Sequence, residues 1–318
     1  MTSEQDPSSY DFLKNDIIQT EHGAQIGEVE FIWAKNSKEF LFANSILIHG
    51  DEPIIIDPSA SFTYCDQLAK RRYVKTVLNT HYHADHRALN HLFLDATYAS
   101  HEADAEAISS FYEYKKLAAE NPDSYYLHWL ENIFKQYKIV DCPVTLKLKD
   151  GDKLSTGTES VQIISLPGHT PGHIGAYFEK ADALFISDID LTPHGPWYAN
   201  IASDINAFKS SIKRLKNFEC TYYVPSHGER VYDRETFLTK LERFAAQFDK
   251  REEKILSLLK EKPLNLIDMC KESIVYKQSS LKDPLMFYFQ LQMVCKHIEL
   301  FEKERKVTRN GDLIYLSS

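Results

Sequence analysis

Val74-Lys75-Thr76-Val77-Leu78-Asn79-Thr80-His81-Tyr82-His83-Ala84-Asp85-His86 is the stretch on which the reading of this chain turns. Its first half is a short β-branched run of strand composition. Its second half sets His81, His83, Asp85 and His86, all metal-capable, into six residues directly after that strand. Imidazole and carboxylate suit borderline divalent ions such as zinc, iron and manganese. A loop of this spacing can offer two ligands to one ion and two to its neighbour. A surface cluster of histidines would carry the same string, so the decision rests on the surrounding chain.

Upstream, Asn44–His49 and Pro53–Asp57 are apolar runs separated by Gly50-Asp51-Glu52, a predicted hairpin, and Tyr64–Arg72 reads as a helix. Downstream, strands are predicted at Thr145–Leu148, Val161–Leu166, Ala176–Phe178, Ala183–Ser187 and Tyr222–Val224. Strands and helices interleave, which predicts an α/β layered body. From about 102 to 140 the pattern is helical and rich in aromatics, broken at Asn121-Pro122-Asp123. Its apolar face is expected to pack on the body or on a second subunit, with a lid over a substrate pocket as the alternative. Glu235–Lys260 reads as a long helix, in one or two pieces, ended by Pro263. A short helix at Leu266–Glu272, a longer one at Pro284–Arg305, and two strands around Asn310-Gly311-Asp312 follow. That order predicts a winged-helix arrangement. The expected division is a catalytic domain at 1–234, a connecting helix at 235–260 and a winged-helix-like domain at 261–318.

A length of 318 residues fits about two domains. No apolar run approaches the roughly 18 residues of a membrane span, so no membrane association is expected. Met1–Ser9 lacks the basic start and apolar core of a signal peptide. Cys65, Cys142, Cys220, Cys270 and Cys295 are scattered and odd in number, which argues for a reducing, cytoplasmic setting rather than a disulfide framework. The formal charge of −9 is uneven: residues 251–318 carry 12 Lys plus Arg against 10 Asp plus Glu, and the remainder carries 25 against 36. An acidic body disfavours a whole-protein grip on nucleic acid. Lys303, Arg305, Lys306 and Arg309 could meet phosphates, but Glu299, Glu302, Glu304 and Asp312 are interleaved with them. A packing or homodimerisation role for the C-terminal unit is therefore preferred.

Three later segments lift the first string above a surface cluster. Leu166-Pro167-Gly168-His169-Thr170-Pro171-Gly172-His173 places a histidine on a tight turn after a strand. Leu184-Phe185-Ile186-Ser187-Asp188 ends an apolar strand in a carboxylate, and Val224-Pro225-Ser226-His227-Gly228 ends another in a histidine. In this order the chain resembles the metallo-β-lactamase superfamily over about residues 27–230. The resemblance implies an α/β four-layer αββα sandwich with two divalent metal ions at one edge of the sheets, zinc first, with iron or manganese as alternatives. It implies that His81, His83 and His169 ligate one ion, that Asp85, His86 and His227 ligate the other, and that Asp188 bridges the pair. Asp57 resembles a carboxylate supporting the metal loop, and His173 either supports the centre, edges the substrate or simply packs. Two such ions would lower the pKa of a water held between them to near neutrality, for attack on a carbonyl carbon or phosphorus. Asp85 would orient that nucleophile and accept a proton.

The carboxylate at Asp188 separates the chain from true β-lactamases, and Ser226-His227-Gly228-Glu229 departs from the Gly-His-Glu-Tyr usual in hydroxyacylglutathione hydrolases. Arg87-Ala88 and Ser187 replace small residues and are expected to reshape the pocket rather than the metals. The two-part layout resembles the beta-lactamase-like protein 2 family, which joins this fold to a winged helix and includes a single-strand-specific endoribonuclease. In the turn-rich stretch 190–200, His194 and Tyr198 are expected to touch substrate. His101 and His128, on helical or helix-start positions, are expected to be structural, and His22, His49, His91 and His297 receive no role. The sequence thus predicts a metal-dependent hydrolase of a small ester, thioester or lactone. The alternatives are a phosphodiesterase acting on single-stranded RNA, a mononuclear iron dioxygenase of the persulfide-oxidising kind that uses only the first ligand set, and a non-catalytic regulator.

Overall fold

The computed structural model describes residues 16–34, 42–228 and 230–317; Met1–Ser9 and Glu229, both read above, lie outside them. Strands β1 (Ile17–Gln19), β2 (Gly23–Ile26), β3 (Val29–Ile32), β4 (Ser45–Ile48) and β5 (Ile54–Ile56) form a meander. Helix α1 (Phe62–Lys70) follows, capped by the Ser61 side chain accepting from Tyr64 N–H. Then come β6 (Thr76–Asn79), β7 (Thr97–His101), three helices α2 (Ala105–Ser109), α3 (Phe111–Ala118) and α4 (Tyr125–Gln136), and β8 (Leu146–Leu148). These strands make one eight-stranded sheet in sequence order, antiparallel through β5 and parallel from β5 to β8.

A second sheet holds β9 (Lys153–Ser155), β10 (Ser160–Ser165), β11 (Ile174–Phe178), β12 (Ala183–Ser187) and, after helix α5 (Ile205–Lys216), β13 (Tyr222–Pro225). Only β12 and β13 are parallel there. Alternation places the two sheets face to face. Ile46, Ile48, Ile54 and Ile56 meet Val161, Ile163, Ala176, Phe178 and Phe185 in one core, with Phe31 edge-on to Phe178 at 6.2 Å. Leu47, Ile55 and Val77 point the other way toward α1, while Leu184, Ile186 and Tyr223 point toward α5 and the helix that follows. Helices therefore cover both outer faces, as the four-layer expectation requires.

Helix α6 (Arg234–Glu261) is continuous over 28 residues and belongs to two cores. Phe237, Leu241, Phe244 and Phe248 lie in the sandwich's outer layer, with Phe237 stacked on Tyr223 at 3.8 Å. Ile255 and Leu259 belong to a separate C-terminal cluster with Met269, Val294, Ile298, Phe301, Val307 and Ile314. That cluster is built from α6, α7 (Leu266–Cys270), α8 (Pro284–Lys303) and the hairpin of β14 (Val307–Asn310) and β15 (Leu313–Leu316). Pro284 stands in the first turn of α8 beside its N-cap Asp283, where a missing N–H costs nothing.

The helical stretch after β7 packs into the body of its own chain. Tyr114, Tyr126, Leu130, Ile133 and Phe134 are buried, and Tyr126 meets Phe289 of α8 edge-on at 5.2 Å. Two expectations are corrected here. His101 ends strand β7 instead of starting a helix. Arg87 does not line a pocket: fully buried, it donates to the carbonyls of Ala107 and Val140, tying the loop after β6 to both ends of the helical stretch.

Candidate metal centre

Parallel pairing brings the C-terminal ends of β5 and β6, and of β12 and β13, to one edge of the sandwich. Asp57 follows β5, the loop Thr80–His86 follows β6, His169 sits in the β10–β11 connection, Asp188 follows β12 and His227 follows β13. A main-chain bond from Ile174 N–H to Thr80 C=O at 3.1 Å joins the two sheets there. The turn carrying His169 needs glycine at two points. Gly168 has φ of +129° and a Cβ would stand 2.3 Å from the Phe208 backbone, while a Cβ on Gly172 would stand 2.7 Å from Asp104.

All seven ligand-type residues converge in two groups, His81, His83, His169 and Asp188, and Asp85, His86 and His227, each with its ligand atoms within 4.8 Å of one another. Asp188 divides its oxygens between them. Oδ2 lies 3.1 Å from His169 Nε2 and 3.9 Å from His81 Nε2, whereas Oδ1 lies 2.9 Å from His86 Nε2 and 3.7 Å from His227 Nε2. Asp85 Oδ2 is 3.6 Å from His86 Nε2 and 3.5 Å from His227 Nε2.

The donor set fits cations. His81 Nε2 is buried without a hydrogen-bond partner, an arrangement tolerated when an ion completes the site, and His86 Nε2 faces the Asp188 and Asp85 carboxylates. Burial, with neighbouring His86 and His83, holds His81 well below the usual histidine range, and burial with His169 does the same for His83, leaving both imidazoles neutral, the form that ligates. Burial opposes charge on Asp188, yet His86 and His169 beside it hold its carboxyl well below the usual range. Burial likewise opposes the imidazolium of His86, but Asp188, Asp57 and Asp85 together push it well above. A divalent cation replaces that compensation directly.

Asp57 is buried and fully engaged. Its Oδ1 accepts from Thr80 N–H at 2.8 Å, and its Oδ2 accepts from Thr80 Oγ1 at 2.6 Å and from His86 Nδ1 at 2.8 Å. The last bond turns His86 Nε2 toward Asp188. Asp57 and Ser187 both adopt φ of +47°, a strained region for side-chain-bearing residues. The Ser187 hydroxyl offsets this by donating to Thr80 Oγ1 at 2.9 Å, so Ser187 also supports the centre instead of reshaping a pocket. His173 is buried: Nδ1 donates to Leu166 C=O at 2.9 Å and Nε2 accepts from the Asp188 N–H at 3.0 Å. Burial, reinforced by His169, lowers it to about 3, so it stays neutral and holds the Asp188 backbone rather than edging substrate.

The stretch 190–200 is corrected. Tyr198 does not face the centre: it is fully buried, its ring stacked on Phe248 and its hydroxyl bonded to His297 Nε2 at 2.8 Å and Arg251 Nη1 at 2.9 Å. His194 is exposed, and its carbonyl accepts from Arg251. Two neighbours, Trp197 and Asn200, lie against the first ligand group instead. Trp197 lies 5.4 Å from the His83 ring and 5.6 Å from the His169 ring, and its carbonyl accepts from His169 Nδ1 at 2.8 Å. The Asn200 amide contacts His83 Nε2, the Tyr82 hydroxyl and the Tyr126 hydroxyl.

Sequence reasoning also missed Asp104 and Asn44. Asp104 accepts from Thr170 Oγ1 and Gly172 N–H, both at 2.6 Å, pinning the His169 turn, and burial raises it to about 6. Asn44 donates to Pro225 C=O at 3.2 Å and Gly228 C=O at 2.7 Å, clasping the turn that carries His227.

Comparison with known proteins bears on the family and the fold. The profile of the metallo-beta-lactamase superfamily matches residues 39–227. The probable metallo-hydrolase YqjP of Bacillus subtilis is 23% identical over 309 residues, covering 86% of this chain and 92% of that protein. A hydroxyacylglutathione hydrolase of Francisella tularensis subsp. novicida is 24% identical over 176 residues, 55% of this chain and 57% of that one. A crystal structure of a metallo-beta-lactamase family protein from Thermus thermophilus superimposes with a TM-score of 0.69 at 20% identity, covering 91% of this chain and 98% of the other. The chain belongs to the metallo-beta-lactamase superfamily.

Proposed function

We propose that this member of the metallo-beta-lactamase superfamily is a dinuclear metal-dependent hydrolase of a small ester, thioester or lactone. The observation that carries the reading is the division of Asp188 between two complete ligand groups, with His81 Nε2 of the first buried and unpartnered. His81, His83, His169 and Asp188 would hold one divalent ion, and Asp85, His86, His227 and Asp188 the other, with zinc first and iron or manganese as alternatives. Such ions supply a nucleophilic water at neutral pH and polarise the oxygen of the group attacked.

The chain's own residues supply the rest. Asp85, with 22% of its side chain exposed, is the ligand-type carboxylate most open to solvent, which suits it to orient the attacking water and take its proton. Asp57 fixes the tautomer of His86, and His173 fixes the backbone of Asp188. The similarity to a hydroxyacylglutathione hydrolase supports the thioester within the proposed class. Cleavage of RNA gains no such support, because Arg309 and Lys306 are engaged by Glu302 and Glu304, each at 2.7 Å. The C-terminal unit, winged-helix-like in its order of elements, is read as a wall of the centre.

The test is elemental analysis of the purified chain, followed by a panel of chromogenic esters, thioesters and lactones. The expected result is two divalent ions per chain and turnover abolished by chelation. One iron per chain with oxygen consumption on persulfides would overturn the proposal in favour of a dioxygenase.

A further inference from the structure

The segment 194–203 touches the first ligand group from outside and is held in turn by the C-terminal unit. Trp197 C=O accepts from His169 Nδ1, Ser203 Oγ donates to His169 C=O at 2.7 Å, and Asn200 meets His83 Nε2. Behind this segment stand side chains far along the chain. Arg251 of α6, only 3% exposed, donates to Pro196 C=O at 2.7 Å and His194 C=O at 2.6 Å. Lys296 of α8 donates to Ile201 C=O at 2.9 Å and Ser203 C=O at 2.8 Å. Between them Phe289 meets the Trp197 ring edge-on at 5.2 Å.

Burying a guanidinium against neutral acceptors, here two carbonyls and the Tyr198 hydroxyl, is costly unless each donor finds a fixed partner, so Arg251 dictates where those carbonyls sit. The Asn200 amide adds a directional demand. A ligating His83 Nδ1 leaves Nε2 as the donor, which calls for the Asn200 carbonyl oxygen on that side, with the amide nitrogen turned to Tyr126.

We propose that Arg251 and Lys296 are positioning residues of the metal centre, acting through segment 194–203 on His169 and His83 and leaving Asp85, His86 and His227 untouched. The inference rests on the proposed metal centre. Its test uses the full chain loaded with cobalt(II), whose visible absorption reports ligand geometry, together with competition against a chelator. In Arg251→Met and Lys296→Met, the affinity for one ion is expected to fall about tenfold, the lower end for groups that orient ligands. The cobalt spectrum of that site should shift, the second ion should be retained, and Lys296→Arg should restore the wild-type behaviour. Lys303→Met, an exposed charge loss on the same helix, should change neither. Where Arg251→Met fails to fold, Lys296→Met decides. Wild-type affinity and spectrum in Lys296→Met would overturn the inference, whereas a wild-type chain that takes up no metal would overturn the proposed centre itself.

Discussion

The two ligand groups are built differently. His81, His83 and His169 are at most 7% exposed, while Asp85 and His227 in the other group keep 22% and 19% of their side chains open to solvent. Their bracing differs as well. The open group leans on the sandwich itself, through Asp57 and Asn44 from the first half of the chain. The buried group leans on residues beyond its own strands: Asp104, Trp197, Asn200 and, through them, α6 and α8. One site is thus as old as the sheets in construction order, and the other is complete only when the last elements are in place.

The comparison can be broken most decisively at the shared carboxylate. Asp188→Ala should strip both ions and lower turnover by about 10³-fold or more, read by elemental analysis alongside the ester assay. Retention of one ion at full affinity would mean that the groups do not depend on a common ligand. Asp57→Asn comes next, with a loss of about 10–100-fold in affinity confined to the His86 site, measured by chelator competition. Asp104→Asn should leave an amide among donors that want an acceptor, costing about 1–3 kcal/mol in denaturant unfolding while the fold persists.

The smallest effect concerns His297, which burial, Arg251 and Lys209 lower to about 3. The unfolded chain protonates this histidine near pH 6.5 and the folded chain does not, so its contribution is present above pH 6.5 and lost as pH falls toward 3. Between pH 7 and 5.5 the wild type should lose about 1 kcal/mol more stability than His297→Gln. Equal losses in parallel denaturant titrations would remove His297 from the account.

What can be read in the sequence is what is local. Each ligand follows an apolar strand within a few residues, so strand composition and ligand chemistry appear side by side at His81–His86, Asp188 and His227. The supporting residues carry no such mark. Asn200 in a turn-rich stretch looks like a turn former, and Arg251 in a charged run looks like a solvated face. Their roles arise from partners 117 residues away at His83 and 55 residues away at Pro196. Tyr198 is close to Asp188 in sequence, but closeness along the chain does not aim a side chain, and its hydroxyl turns toward His297. Strands β1 to β3 escape a reading by composition because they are three or four residues long and interrupted by glycines and charges.

The double membership of α6 carries a consequence for biosynthesis. A ribosome that has delivered residue 230 has already made every candidate ligand, yet the face formed by Phe208, Leu215 and Tyr223 still lacks the helix that covers it. Translation of the 28 residues of α6 takes a few seconds at ordinary elongation rates, and the nascent chain displays that greasy surface throughout. A truncated message ending there would yield a polypeptide with its chemistry written and its outer wall missing, a natural client for chaperones and a poor enzyme.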